Sequence, residues 1–131
     1  EKKKISKNKI IDMEIKKTGK LFSFCCVVPA IIKKKNNKEI KFFENIGANI
    51  GLLFQIADDL IDFRGSSKFA GKITGKDKKK GKATLISLLG YKNAIKYSNK
   101  IKSKIINDLD KYGLNSNSLN ETLNYILTRN K

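Results

Sequence analysis

No histidine occurs in these 131 residues, and the only two cysteines, Cys25 and Cys26, stand side by side. A zinc site of the usual Cys/His type therefore has no ligand set, and adjacent cysteines in an apolar run read as small core residues. Long apolar runs are also missing. The longest, "LFSFCCVVPAII" at 21 to 32, is too short to span a bilayer and holds the single proline, Pro29, so no membrane helix is expected. Acids are scarce, with 12 Asp and Glu against 29 Lys and Arg. No segment shows the strict alternation of a half-buried strand. The chain opens at Glu1 with neither Met nor a signal-like segment, which reads as a piece of a longer protein, with a reducing, cytoplasmic setting as the default.

What is present is enough for one modest folded domain, since the 40% hydrophobic content is too high for a disordered protein. A formal net charge of +17 fits nucleic acid, an anionic membrane surface or phosphorylated substrates. The distribution argues against nucleic acid. Lysines are strewn among Asn and Ile, the one tight cluster is "GKDKKKGK", and no segment interleaves bases with aromatics that could stack on nucleotides.

Against this background "FQIADDLIDF", 54 to 63, collects Asp58, Asp59 and Asp62 in one apolar stretch. Ile50, Leu53, Phe54, Ala57, Leu60 and Ile61 recur every three or four positions, as on the buried side of a helix. Asp58, Asp62 and Gln55 then share the flank of that stripe, with Asp59 turned further out. Carboxylates this close repel each other unless cations lie between or above them. No lysine lies between Glu44 and Arg64, so a local ion pair is excluded. Oxygen ligands alone favour Mg²⁺, which keeps several waters and bridges carboxylates to a substrate phosphate. A solvated acidic helix face is the alternative.

The remaining segments also read as helical, giving an all-α class. A first helix is predicted over about 7 to 28, disturbed at "KKTGK" because Gly19 costs about 1 kcal/mol in a helix interior. A polar connector, "KKKNNKE", leads to a long helix over about 39 to 63. Residues 64 to 82, with Gly65, Gly71, Gly75 and Gly81, read as a loop. After the short turn "LISLLG", a helix over about 93 to 112 stops at Gly113. Ser118 and Glu121 then suggest a capping box for a last helix carrying Leu119, Leu123, Ile126 and Leu127.

Taken in order, these residues resemble the trans-polyprenyl diphosphate synthases, especially the bacterial farnesyl diphosphate synthase type. "KTG" at 17 to 19 looks like the family's lysine motif, and "FQIADDLID" like its Phe-Gln pair with the second aspartate-rich motif. "GK" at 71, "GKD" at 75 and "GKAT" at 81 are similar to the following loop, and "YILTRNK" to the C-terminus of the short-chain bacterial members. Nothing matches the first aspartate-rich motif; Asp12 and Glu14 are no substitute for it. The sequence thus looks like the C-terminal half of an isoprenoid-synthase helical bundle, one partial domain over 1 to 131.

The resemblance implies Mg²⁺-dependent, head-to-tail condensation of isopentenyl diphosphate with an allylic diphosphate to a farnesyl or geranyl product, by a cytoplasmic homodimer that neither binds nucleic acid nor inserts stably into membranes. It makes Asp58 a direct metal ligand and Asp59 and Asp62 holders of the hydrated shell. Lys17 and Lys72 would grip the allylic diphosphate, and Lys82 would lie near the phosphates. Thr18 and Gln55 would face the developing carbocation, and Phe54 the isoprenoid tail. Arg129 and Lys131 would close over isopentenyl diphosphate. Each also has a plainer reading: Phe54 as core, Lys17, Lys72 and Lys82 as solvated charge, Arg129 and Lys131 as helix C-terminal charge. A non-catalytic basic helical module is the alternative function. A terpene cyclase is disfavoured, because its usual second metal motif, rich in Asn, Ser and Glu, is missing.

Overall fold

The computed structural model describes residues 6 to 70 and 84 to 129. All regular elements among them are helical: α1 (Lys7–Glu14), a π turn (Ile15–Gly19), α2 (Lys20–Ile32), α3 (Asn37–Ala70), α4 (Leu85–Leu89), α5 (Tyr91–Leu109), a 3₁₀ stretch (Asp110–Ser116) and α6 (Asn117–Thr128). The longest, α3, is the spine. Ile46, Ile50, Leu53, Ala57 and Leu60 form its stripe, and Leu52 and Ile56 widen it beyond one face. Such a helix must be covered on more than one side. α2 covers it from one direction; α5, α6 and α4 cover it from others. α5 answers with Ala94, Ile101, Ile105 and Leu109, and α6 with Leu123 and Ile126. Each fully buried Leu or Ile contributes about 1.5 to 3 kcal/mol.

The disturbance expected at "KKTGK" is the π turn, where Lys20 N–H bonds Ile15 C=O, five residues back. Its origin lies in the phase of the buried positions. Ile10, Glu14, Gly19 and Ser23 are buried in steps of four, five and four. An α-helix accommodates steps of three or four, and the step of five needs one wider turn. The wide turn brings Gly19 onto α3. A Cβ on Gly51 would stand 2.5 Å from Gly19 Cα, and one on Gly47 2.5 Å from Phe22 O. Only glycine lets the two backbones approach so closely. One turn along, Ser23 Oγ donates to Glu44 C=O at 3.0 Å.

Several boundaries differ from the sequence expectation. α2 runs four residues past 28 and includes Pro29; lacking an N–H, that proline leaves the Cys25 carbonyl four residues back without its helical donor, one bond fewer in the last turns of α2. α2 ends with Lys34 at φ +50, while the Lys34 and Lys35 N–H groups bond Ile31 C=O (2.8 Å) and Ala30 C=O (2.9 Å). This left-handed cap closes the connector. The loop expected over 64 to 82 is wrong at its start, because α3 continues through Gly65 to Ala70; the rest lies outside the described residues. α5 begins at Tyr91 rather than 93 and gives way to the 3₁₀ stretch, where Gly113 at φ +52 breaks the path. The capping box expected at Ser118 and Glu121 does not form, since α6 already starts at Asn117 with no side-chain cap. A capping box does form at Thr84 and Ser87, ahead of α4.

Gly51→Ala is expected to lower stability by about 1 to 3 kcal/mol through overpacking against Gly19. Gly65→Ala, with nothing within 4 Å of the added carbon, is expected to be neutral or to stabilise by up to about 1 kcal/mol. Urea unfolding midpoints check both, and equal midpoints for the two variants would contradict the close contact.

Candidate functional site

The glycine contact fixes where the KTG residues meet α3. Thr18, in the π turn, donates its hydroxyl to Gln55 Oε1 at 3.0 Å, and Gln55 Nε2 donates to Asp59 Oδ1 at 3.2 Å. Residues 37 positions apart are thus joined in one polar relay, Thr18 to Gln55 to Asp59. Gln55 and Asp59 are neighbours at i,i+4 on α3. The acids divide differently from the helical-wheel expectation: Asp59 is half-buried under the π turn, and Asp62 is the exposed one. Burial pushes Asp59 above the ordinary carboxylate range, and the charges of Asp62 and Asp58 add to this. The Gln55 hydrogen bond and Lys17 oppose it.

Asp58 does not stand alone. Arg129, just past the end of α6, pairs its Nη2 with Asp58 Oδ1, and its guanidinium carbon lies 4.1 Å from the centre of the Phe54 ring. Phe54 is half-buried and tilted against Phe22, with ring centres 5.5 Å apart. It packs between Phe22 on one side and Arg129 on the other. Lys17 is exposed beside the acids. Lys72, Lys82 and Lys131 lie outside the described residues.

Glu14 is a further member of this cluster. It is only 3% exposed, and its Oε2 has no hydrogen-bond partner among the described residues. Its carboxyl faces the backbone N–H of Leu85, where α1 packs against the start of α4. Burial, then the charge of Asp59, push it up to about 7, against the Leu85 N–H and Lys17. A signal for it existed in the sequence: Glu14 follows Ile10 by four residues, so the two share one face of α1.

Among the described residues no group of three acids, cysteines or histidines converges closely enough to hold a metal by itself. The aspartates nevertheless fit a hydrated Mg²⁺. Their donors are hard oxygens on the open flank of α3, and Mg²⁺ is usually held by one or two carboxylates with water and substrate phosphate completing the shell.

Because the fold prefers neutral Glu14, its contribution to stability is fully present below the unfolded value of 4.5 and is lost as pH rises through about 7. Glu14→Gln keeps an acceptor for Leu85 without the charge. It is expected to exceed the parent by about 1 to 3 kcal/mol at pH 8, with the gap closing below pH 4.5. Denaturant unfolding at the two pH values decides it, and a parent more stable at pH 8 would mean a paired, ionised Glu14.

The polyprenyl synthetase family model matches residues 1 to 125. Farnesyl diphosphate synthase of Micrococcus luteus is 34% identical over 131 residues, covering 100% of this chain and 45% of that enzyme. Geranylgeranyl pyrophosphate synthase 4 of Arabidopsis thaliana is 38% identical over 90 residues, 69% of this chain and 24% of its own. Among solved structures, an FPP/GFPP synthase from Zymomonas mobilis superposes with a TM-score of 0.77 at 30% identity, over 96% of this chain and 40% of that one. A Helicobacter pylori geranyltransferase complexed with magnesium and isoprenyl diphosphate gives 0.68 at 28% identity, over 96% and 41%. The chain spans less than half the length of these relatives. With the KTG turn docked on the aspartate-bearing helix and the family model covering nearly every residue, the chain belongs to the polyprenyl synthetase family.

Proposed function

We propose that this chain supplies the portion of a short-chain prenyl diphosphate synthase that carries the second aspartate-rich motif, and that it acts on the diphosphate of an allylic substrate. The observation that carries this reading is the hydrogen-bond relay from Thr18 through Gln55 to Asp59. It sets the lysine motif against the aspartates of α3. Relatives named as farnesyl and geranylgeranyl diphosphate synthases support the substrate class. The homodimer of the full-length protein and the cytoplasmic setting belong to the same reading.

In this reading Asp58, Asp59 and Asp62 hold hydrated Mg²⁺ from the flank of α3. When bound, that ion neutralises charge on the diphosphate as it leaves. Lys17, exposed beside the aspartates, grips the diphosphate as a point charge that can release it again as product. Lys72 and Lys82 supply further positive charge to the phosphates. Thr18 and Gln55 hold each other's dipoles fixed before the reaction, so charge developing on the allylic carbon meets oriented neutral oxygens that do not quench it. Phe54, seated on Phe22, gives the isoprenoid tail an apolar wall. Arg129 and Lys131 reach toward isopentenyl diphosphate, Arg129 only after leaving Asp58.

In the full-length enzyme, Asp58→Ala is expected to reduce condensation by several orders of magnitude while helix content is kept, because a ligand is lost rather than packing. Product assay and circular dichroism read the two effects, and near-normal turnover would refute the assignment. Lys17→Gln is expected to weaken allylic diphosphate binding by about 1 to 3 kcal/mol, the scale of a charge-assisted hydrogen bond. Neutralising Lys34 and Lys35 on the connector and Lys38 in the first turn of α3 is expected to change it little, through screening over about 8 Å at physiological salt. Equal losses in both sets, measured by calorimetry, would refute a local site. The 131-residue chain by itself is expected to yield no labelled product from isopentenyl and dimethylallyl diphosphates.

A further inference from the structure

Arg129 sits where the proposed mechanism needs a metal ion. Its Nη2 pairs with Asp58 Oδ1 across 71 residues of sequence, its ring partner Phe54 is 4.1 Å away, and its side chain is only 15% exposed. The placement is selective. Only two of the 29 basic residues are arginines, Arg64 and Arg129, and both line one cleft with Leu60, Ile61 and Ile126. Stacking on an aromatic face while presenting a planar fork to a carboxylate suits arginine and not the more strongly hydrated lysine.

We propose that Arg129 is a stand-in cation that holds Asp58 when no divalent ion is bound, and that the guanidinium and the ion exclude one another at that carboxylate. The inference rests on the metal reading of Asp58. Two features favour exchange over a supporting role in which Arg129 stays to orient a metal-bound Asp58. Its Nε is buried without a partner among the described residues, whereas residues that orient a ligand have their own hydrogen bonds satisfied. A guanidinium on Oδ1 also places a positive charge within a few ångströms of any cation on the same carboxylate, in a partly desolvated site where repulsion is strong. Departure is mechanically easy. Arg129 is the first extended residue after α6, at φ −58 and ψ 134, its N–H bonded to Tyr125 C=O at 2.9 Å. The side chain can swing out without unwinding the helix. Departure frees the same residue for the diphosphate of the second substrate, so metal loading and readiness of the tail are coupled.

The test uses Mn²⁺ alone, titrated into the substrate-free full-length enzyme and followed by electron paramagnetic resonance. Arg129→Gln is expected to bind Mn²⁺ about three- to tenfold more tightly than the parent, the range for losing a partly buried competing charge. Arg129→Lys should fall between, and Asp58→Asn should lose the site. In the parent, saturating Mn²⁺ should speed cleavage after Arg129 by an arginine-specific protease. Asp58-dependent binding that Arg129→Gln leaves unchanged or weakens, or protection of Arg129 by Mn²⁺, overturns the exchange alone. Binding indifferent to Asp58→Asn overturns the metal reading and the exchange with it.

Discussion

The close approach of Gly19 to Gly51 is the constraint on which the site depends. Two helix backbones this near leave no space for a Cβ on Gly51, so their separation is set by main-chain atoms and not by adaptable side chains. The π turn follows from it, because Gly19 reaches α3 only if the buried positions step by five between Glu14 and Gly19. Thr18, one residue earlier, is thereby delivered to Gln55. A glycine that costs stability in an isolated helix here fixes the register of two helices. π turns in otherwise regular helices are frequent at functional sites, where a wider turn re-aims one side chain.

Electrostatics divides the molecule unevenly. Most of the described lysines are exposed, and three of them pair with acids three or four residues away: Lys16 with Asp12 at 2.8 Å, Lys35 with Glu39 at 3.2 Å and Lys41 with Glu44 at 2.7 Å. Such pairs are worth little individually. The acids beside the π turn behave otherwise. Glu14 and Asp59 are each raised by burial and by neighbouring negative charge, so the fold concentrates acid at one place in a strongly basic protein, with Arg129 and Lys17 as its cationic neighbours. That is the environment in which an added cation gains most.

Much of this is legible in the sequence, and the failures have physical causes. Periodicity reveals the helices, because a 3.6-residue stripe is a property of neighbours. It reveals the alignment of the aspartates on α3 but not their division of exposure, which depends on the π turn lying over Asp59. The end of α3 is missed because Gly65 weighs against a helix locally, whereas a long helix already packed over many turns tolerates one exposed glycine. Ser118 and Glu121 match the spacing of a capping box, yet the 3₁₀ stretch has already started α6 at Asn117. The capping box that does form uses Ser87 where the sequence pattern looks for Glu or Gln.

The pairing of Arg129 with Asp58 has no local signal, since nothing within reach of residue 58 along the sequence points to residue 129. Composition holds a weaker one. In a protein this biased toward lysine, two arginines mark positions where lysine's chemistry does not suffice. Arg64 donates to the Tyr91 hydroxyl and lies 5.7 Å from that ring's centre, while Arg129 stacks on Phe54 and meets an aspartate. Both use the flat guanidinium against an aromatic face, and both sit where α3 emerges from the core. At the site the rarer cation meets Asp58, while Lys17 acts on Asp59 and Glu14.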